Sequence, residues 1–116
     1  HAAQGEEIFR RLVHPHGQIE LVLCGHVLET GIAQQTSPQA DGGFVHEILA
    51  NYQHTDDMLQ GIVRLIEVDD AARLFRVRTV GLATGVRAPG PHSFDLAMDL
   101  RSAHEDHIAE GTRPGR

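Results

Sequence analysis

The chain has 116 residues, 41% of them hydrophobic, and a formal net charge of −6. That length allows one domain, with roughly two-thirds of the unfolded surface buried, and the acidic balance argues against nucleic acid or an anionic membrane as the main partner. No apolar run reaches the ~18 residues of a membrane helix and no signal-peptide pattern is seen in these residues, so a soluble protein is expected; the single cysteine excludes an intrachain disulfide. All ten basic residues are arginine, and the chain opens on His1 rather than Met, which reads as a processed product or a fragment.

In chain order, residues 5–13 (GEEIFRRLV) place Ile8, Phe9, Leu12 and Val13 on one helical face, with acids first and arginines later. That suits an amphipathic helix and its dipole, and Pro15 and Gly17 end it. Residues 19–24 read as a buried strand, because apolar residues dominate without alternation. Residues 29–43 (ETGIAQQTSPQADGG) are polar and rich in turn formers, and read as a loop. Residues 44–53 (FVHEILANYQ) fit two patterns. Phe44, Ile48 and Tyr52 make a helix face, whereas Phe44, His46, Ile48, Ala50 and Tyr52 make a strand face.

Residues 61–68 read as a strand, Asp69-Asp70-Ala71-Ala72 as a hairpin turn, and 73–80 as an alternating strand with Phe75, Val77 and Thr79 on one face. In 93–100 the alternation turns Phe94, Leu96, Met98 and Leu100 inward and Asp95, Ala97 and Asp99 outward. Residues 101–110 fit a short helix and the last six a flexible tail. The expected class is therefore α+β: an amino-terminal amphipathic helix, one buried strand, then a mostly antiparallel β-meander. Residues 1–100 form the domain and 101–116 the helix and tail.

Cys24-Gly25-His26 is the chemically most informative stretch. A strand ending in Gly-His delivers an imidazole to the carboxyl edge of a sheet, where ligands sit in open α/β folds. Val27 and Leu28 follow, and neither is a second ligand. Asp41, in the loop after His26, is the best-placed helper, although Asp-Gly-Gly is also an ordinary turn sequence. Asp56 and Asp57 are further carboxylate candidates. Cys24 reads as a small buried hydrophobe rather than a nucleophile. His14 and His16 flank a proline and read as a solvated turn. His104 and His107, at i and i+3, share a helix face but lack the His-Glu-x-x-His spacing of zinc proteases. His46 reads as structural.

Taken as an ordered set, LVLCGHVLETG, FVHEILANYQ, GIVRLIEVD, RLFRVRTV and SFDLAMDL resemble the carboxyl-terminal part of calcineurin-like metallophosphoesterases. The resemblance spans roughly residues 5–100 and rests on the order of elements, Gly25-His26 and Asn51-Tyr52-Gln53. It implies half of a metallophosphoesterase-like sandwich, with His26 at the first histidine of a Gly-His-x-His pair and hence a metal ligand. In that family two divalent metal ions clamp a phosphoryl group and generate a hydroxide nucleophile. The second histidine position is Leu28 here. The family's Asp-x-His, Gly-Asp-x-x-Asp and Gly-Asn-His-Asp/Glu motifs do not occur in these residues. Thr79-Val80-Gly81-Leu82 stands where the family has a Thr-Tyr-Ser-Pro-like end, and His54-Thr55-Asp56-Asp57-Met58 replaces its Gly-rich hairpin.

Three functions follow as expectations. The first is a truncated metallophosphoesterase-like protein, hydrolysing a small phosphoester only when another segment or subunit completes it, with Zn, Mn or Fe as the divalent ion. The second is a non-catalytic scaffold or binding protein whose uncovered sheet makes it a homo-oligomer. The third is a small metal-dependent hydrolase with a reduced site around His26, completed by a carboxylate such as Asp41, Asp56 or Asp57 or by a histidine from a second subunit.

Overall fold

A computed structural model of the chain describes residues 2–26, 31–52, 61–83, 85, 87–88 and 90–99. The expectations for Leu28, Asp56, Asp57 and Leu100, and for the helix and tail over 101–116, lie outside these residues. The arrangement is α+β: an amino-terminal helix and strands in two mostly antiparallel sheets.

Helix α1 spans Ala3–Ile8 and continues as a π-helical turn, Phe9–Val13. The wider turn breaks the regular i, i+3, i+4 stripe that the sequence suggests. Of its apolar residues only Val13 is buried, while Ile8 and Leu12 are more than half exposed.

The first sheet contains β1 (Leu21–Cys24), β2 (Ile32–Pro38) and β3 (Phe44–Ala50), in the order β1-β3-β2. β1 runs parallel to β3, with Leu21 opposite His46 and Cys24 opposite Leu49. β2 runs antiparallel to β3, with Ile32 opposite Ala50 and Pro38 opposite Phe44. Two sequence expectations change here. Residues 32–38 are a strand within the supposed loop: among the described residues β2 pairs on one side only, and its largely exposed Gln-Gln-Thr-Ser side chains carry no hydrophobic signal. β1 is an edge strand rather than a buried one, and Leu23 and Cys24 are exposed.

The second sheet contains β4 (Ile62–Asp69), β5 (Leu74–Gly81), β6 (Arg87–Ala88) and β7 (Phe94–Ala97). β4 pairs antiparallel along the whole of β5. β7 pairs with Leu74–Val77 and β6 with Thr79–Val80 on the other side of β5. A 3-10 turn, Gly90–His92, precedes β7, and Ser93 Oγ accepts the Thr79 N–H where the ladder is interrupted. The turn after β4 forms where the sequence places it. Asp69 Oδ1 accepts the Ala72 N–H, and Arg73 adopts φ 54°.

The sheets face each other through alternate residues of β3 and β5. Of the two patterns over 44–53 the strand prevails as far as Ala50, because β3 has a neighbour on both sides. Val45, Ile48, Val77 and Thr79 are the largest fully buried side chains. His46 lies in this layer, 5.2 Å from the Phe44 ring and 6.4 Å from Phe75 between centroids. Its Nε2 donates to the Ala97 carbonyl at 2.6 Å, which leaves Nδ1 to accept from the Thr36 hydroxyl at 2.8 Å. This ring joins the two sheets. Asp99, expected to face outward, is buried, and its Oδ2 accepts the Phe44 N–H at 3.2 Å. A strand-end carboxylate is tolerated inside because it captures a backbone donor.

On its other face the first sheet meets the helix. Gln39, 4% exposed, fixes that junction. Its Nε2 lies 2.9–3.1 Å from the carbonyls of Val13, His16 and Ile19. Between helix and sheet lies a half-open groove of about 540 Å³, lined by Ile8, Phe9, Val22, Cys24 and Leu49 among others.

Candidate functional site

Because β1 and β3 are parallel, their carboxyl ends coincide. His26 lies two residues past Cys24, and Asn51 two residues past Leu49, so both strand extensions reach the same edge. A Cβ at Gly25 would sit 3.3 Å from the Ala50 carbonyl oxygen, so the chain passes tightly there. His26 itself has φ 62°, a left-handed conformation uncommon for a residue with a side chain. It is exposed, and its ring makes no hydrogen bond among the described residues. Such strain concentrates at functional positions.

Asn51 stands beside it. Its N–H donates to the Gly31 carbonyl at 2.5 Å, and its Nδ2 is buried without a partner. The amide is therefore an orphaned polar group at the edge where His26 emerges.

Asp41 lies elsewhere. It occupies the turn between β2 and β3, at the amino-terminal end of β3, where Oδ1 accepts the Gly43 N–H at 3.0 Å. Its carboxylate packs on Gly17: a Cβ there would come within 1.8 Å of Oδ2. The seven residues of β3 separate Asp41 from His26, a span of roughly 20 Å at ~3.3 Å per residue. The structure does not bring the two sequence candidates together within one chain. The cause is topological: Asp41 follows His26 by one strand, and that strand carries the chain back to the opposite edge.

Among the described residues, no group of three or more His, Cys, Asp or Glu side chains could hold a metal ion. His26 fits one coordination position, and a metal centre needs several such donors. The described side chains therefore do not amount to a metal centre, and no catalytic step through a metal follows from them.

Cys24 is exposed on the groove rather than buried in the core. Its Sγ donates to the Ile48 carbonyl at 3.4 Å. Partial desolvation pushes the thiol pKa up, and the nearby Glu47 carboxylate raises it further. The thiolate is disfavoured, opposite to what a nucleophilic cysteine requires. His16 Nδ1 lies 2.6 Å from the Leu12 carbonyl, so this ring caps the end of the helical segment.

The same edge carries a cluster that sequence reading missed. Tyr52, just past β3, lies beside Arg64 of β4 and His92 of the 3-10 turn. Arg64 Nη2 donates to the Tyr52 hydroxyl at 2.9 Å, and that hydroxyl lies 3.2 Å from His92 Nδ1. Arg64 Nε donates to Thr79 Oγ1 at 3.1 Å. The guanidinium sits 5.7 Å from the Tyr52 ring centroid and 5.6 Å from that of Phe94. The available signal was the alternation of β4, which puts Arg64 in line with Ile66 on the inward face.

No family model matches the chain, and no solved structure matches it. It is similar to an uncharacterized protein, YvnB, of Bacillus subtilis (strain 168), with 33% identity over 81 residues. That stretch is 65% of this chain and 6% of YvnB, so the chain spans only a small part of its relative. No described helix is long and apolar enough to cross a membrane.

Proposed function

We propose that this chain is the carboxyl-terminal part of a calcineurin-like metallophosphoesterase fold. It takes part in hydrolysis of a small phosphoester when a further segment or a partner subunit supplies the remaining ligands for divalent Zn, Mn or Fe. The observation that carries the reading is the position of His26. It projects from the carboxyl end of a parallel edge strand, in a left-handed conformation, without an intrachain partner for its ring among the described residues. This is where the resemblance assigns a metal ligand.

The free side of β1 supports the same reading. Parallel strands are ordinarily covered on both faces and flanked by further strands. Among the described residues β1 pairs only with β3, and the exposed residues Leu23 and Cys24 border the half-open groove. A completing segment would add a strand at this edge and close the groove. A homo-oligomer that covers the same surface as a non-catalytic scaffold is the second reading, and the open edge favours it equally.

The test has three readouts. The reading frame upstream of His1 is read for Asp-x-His, Gly-Asp-x-x-Asp and Gly-Asn-His-Asp/Glu. Metal content and chelator-sensitive cleavage of phosphomonoesters and phosphodiesters are measured on the longest native product. Sedimentation reports the oligomeric state. The proposal expects those motifs upstream, and loss of metal and activity in His26→Ala. Activity that survives both chelation and that substitution overturns it. A stable oligomer without hydrolytic activity favours the scaffold.

A further inference from the structure

We infer that Arg64, with His92 and Tyr52, forms a subsite for a phosphoryl oxyanion at the carboxyl edge of the sandwich. The first argument is charge. Arg11, Arg73, Arg76 and Arg78 each hold a carboxylate, at 2.6–3.0 Å for the shortest contact. Arg64 is half-buried between the sheets and has no carboxylate partner among the described residues. Its charge is held by neutral acceptors and aromatic rings rather than by a counter-ion, so an anion here would add a charge-assisted pair. Although the chain carries a net charge of −6, no described carboxylate lies within ion-pair distance of this guanidinium.

The second argument is the direction of the donors. Nε and Nη2 of Arg64 are occupied by Thr79 Oγ1, the Tyr52 hydroxyl and the His92 carbonyl, the last at 3.4 Å. These bonds and the two aromatic rings fix the plane of the guanidinium. Both N–H groups of Nη1 remain without an acceptor among the described residues. The Tyr52 hydroxyl accepts from Arg64; donating its own proton to His92 Nδ1 leaves the imidazole proton on Nε2. Nε2–H is then a donor without an acceptor among the described residues. A planar fork and an adjacent imidazole suit a group with several divergent oxygens and negative charge. A tetrahedral oxyanion meets that demand better than a carboxylate, which has only two oxygens.

The need for an oxyanion follows from these contacts alone; choosing phosphoryl over sulfate rests on the proposed function. Arg64 here positions and charges a binding site, and no metal enters the inference. Thr79 Oγ1 donates in turn to the His92 carbonyl, so β4, β5 and the 3-10 turn are joined before any ligand arrives. Preorganisation of this kind favours binding.

The test is a titration of the chain with inorganic phosphate, phenyl phosphate, sulfate and acetate, in the presence of a chelator. Phosphorus-31 and protein amide resonances report binding. The expectation is saturable binding of both phosphates, weaker sulfate, and no competition by acetate. Arg64→Gln weakens phosphate by about tenfold or more, the scale of a lost charge-assisted pair. His26→Ala leaves this metal-free binding unchanged, which separates the subsite from the metal reading. Where Arg64→Gln does not fold, His92→Ala is titrated instead and is expected to weaken phosphate several-fold. Unchanged affinity in the folded Arg64 or His92 variant, or no phosphate binding by the unaltered chain, overturns the inference. Sulfate bound as tightly as phosphate, or loss of binding in His26→Ala, overturns the phosphoryl assignment.

Discussion

The two faces of β3 end differently. The face turned to the second sheet is closed: Ile48 is 1% exposed, and the His46 ring has both nitrogens bonded across the interface. The face turned to the helix carries Val45 and Glu47, which are buried, but beyond them Leu49, Val22 and Cys24 line a half-open groove. Glu47 is satisfied there by Gln35 at 2.7 Å and Ser37 at 2.6 Å. Among the described residues one layer is closed around Ile48 and His46, whereas the other leaves a groove beside β1. The closed layer sets the stability of the isolated chain. The open one is where the proposed completing segment or second copy would pack.

Substitutions can break or sharpen this contrast. The largest effect is expected for Ile48→Ala, in the closed layer: a loss of about 3 kcal/mol in denaturant unfolding, from lost burial plus a cavity. His46→Leu keeps the bulk but strips partners from the Thr36 hydroxyl and the Ala97 carbonyl. A loss of about 2 kcal/mol follows from two unsatisfied groups. Gly17→Ala drives a methyl into the Asp41 carboxylate and displaces its bond to the Gly43 N–H, for about 1 kcal/mol. On the edge strand β1, where Leu23 is 61% exposed, Leu23→Ser changes unfolding of the isolated chain by no more than ~0.5 kcal/mol. Under the oligomer reading it reduces self-association in sedimentation. A large loss of stability in Leu23→Ser would show that this edge is covered after all.

The smallest effect lies on the outer face of the second sheet. There Arg76 contacts Asp69 at 2.7 Å, Glu67 at 3.2 Å and Asp95 at 3.8 Å. The hydrogen bond from Arg76, helped by the Ala72 N–H, lowers the Asp69 pKa. A carboxyl whose pKa is lower folded than unfolded stabilises the fold above its unfolded pKa, and that contribution fades as pH falls through the folded value. Arg76→Gln should move Asp69 back toward 3.8 in an NMR titration, and flatten the acid limb of the stability profile slightly. An Asp69 titration unmoved by that substitution would refute the pairing.

Legibility followed how each strand is buried. β5 and β7 alternate because one side of each is covered and the other faces solvent, and both were readable as strands from Phe75, Val77, Phe94 and Leu96. β2 was not readable. It is an exposed edge strand whose order comes from its ladder to β3, and a polar edge has no period to detect. Gln39 was equally silent, because nothing local marks an amide that will lie within bonding distance of three carbonyls from residues 13–19. The candidate site divides in the same way. His26 was visible from the strand that ends in Gly-His, whereas Tyr52, Arg64 and His92 are 12 and 28 residues apart along the chain and meet only across the sheets.

The sequence by itself determined the α+β class, the β4–β5 hairpin and the delivery of His26 to a strand end. These depend on local alternation, turn residues and one Gly-His pair. Among the described residues, tertiary structure alone decided that β1 is an edge, that Asp41 and His26 stand at opposite ends of β3, and that Arg64 has no carboxylate at ion-pair distance. Strand direction and register fix those outcomes, and both arise from pairing between segments distant along the chain.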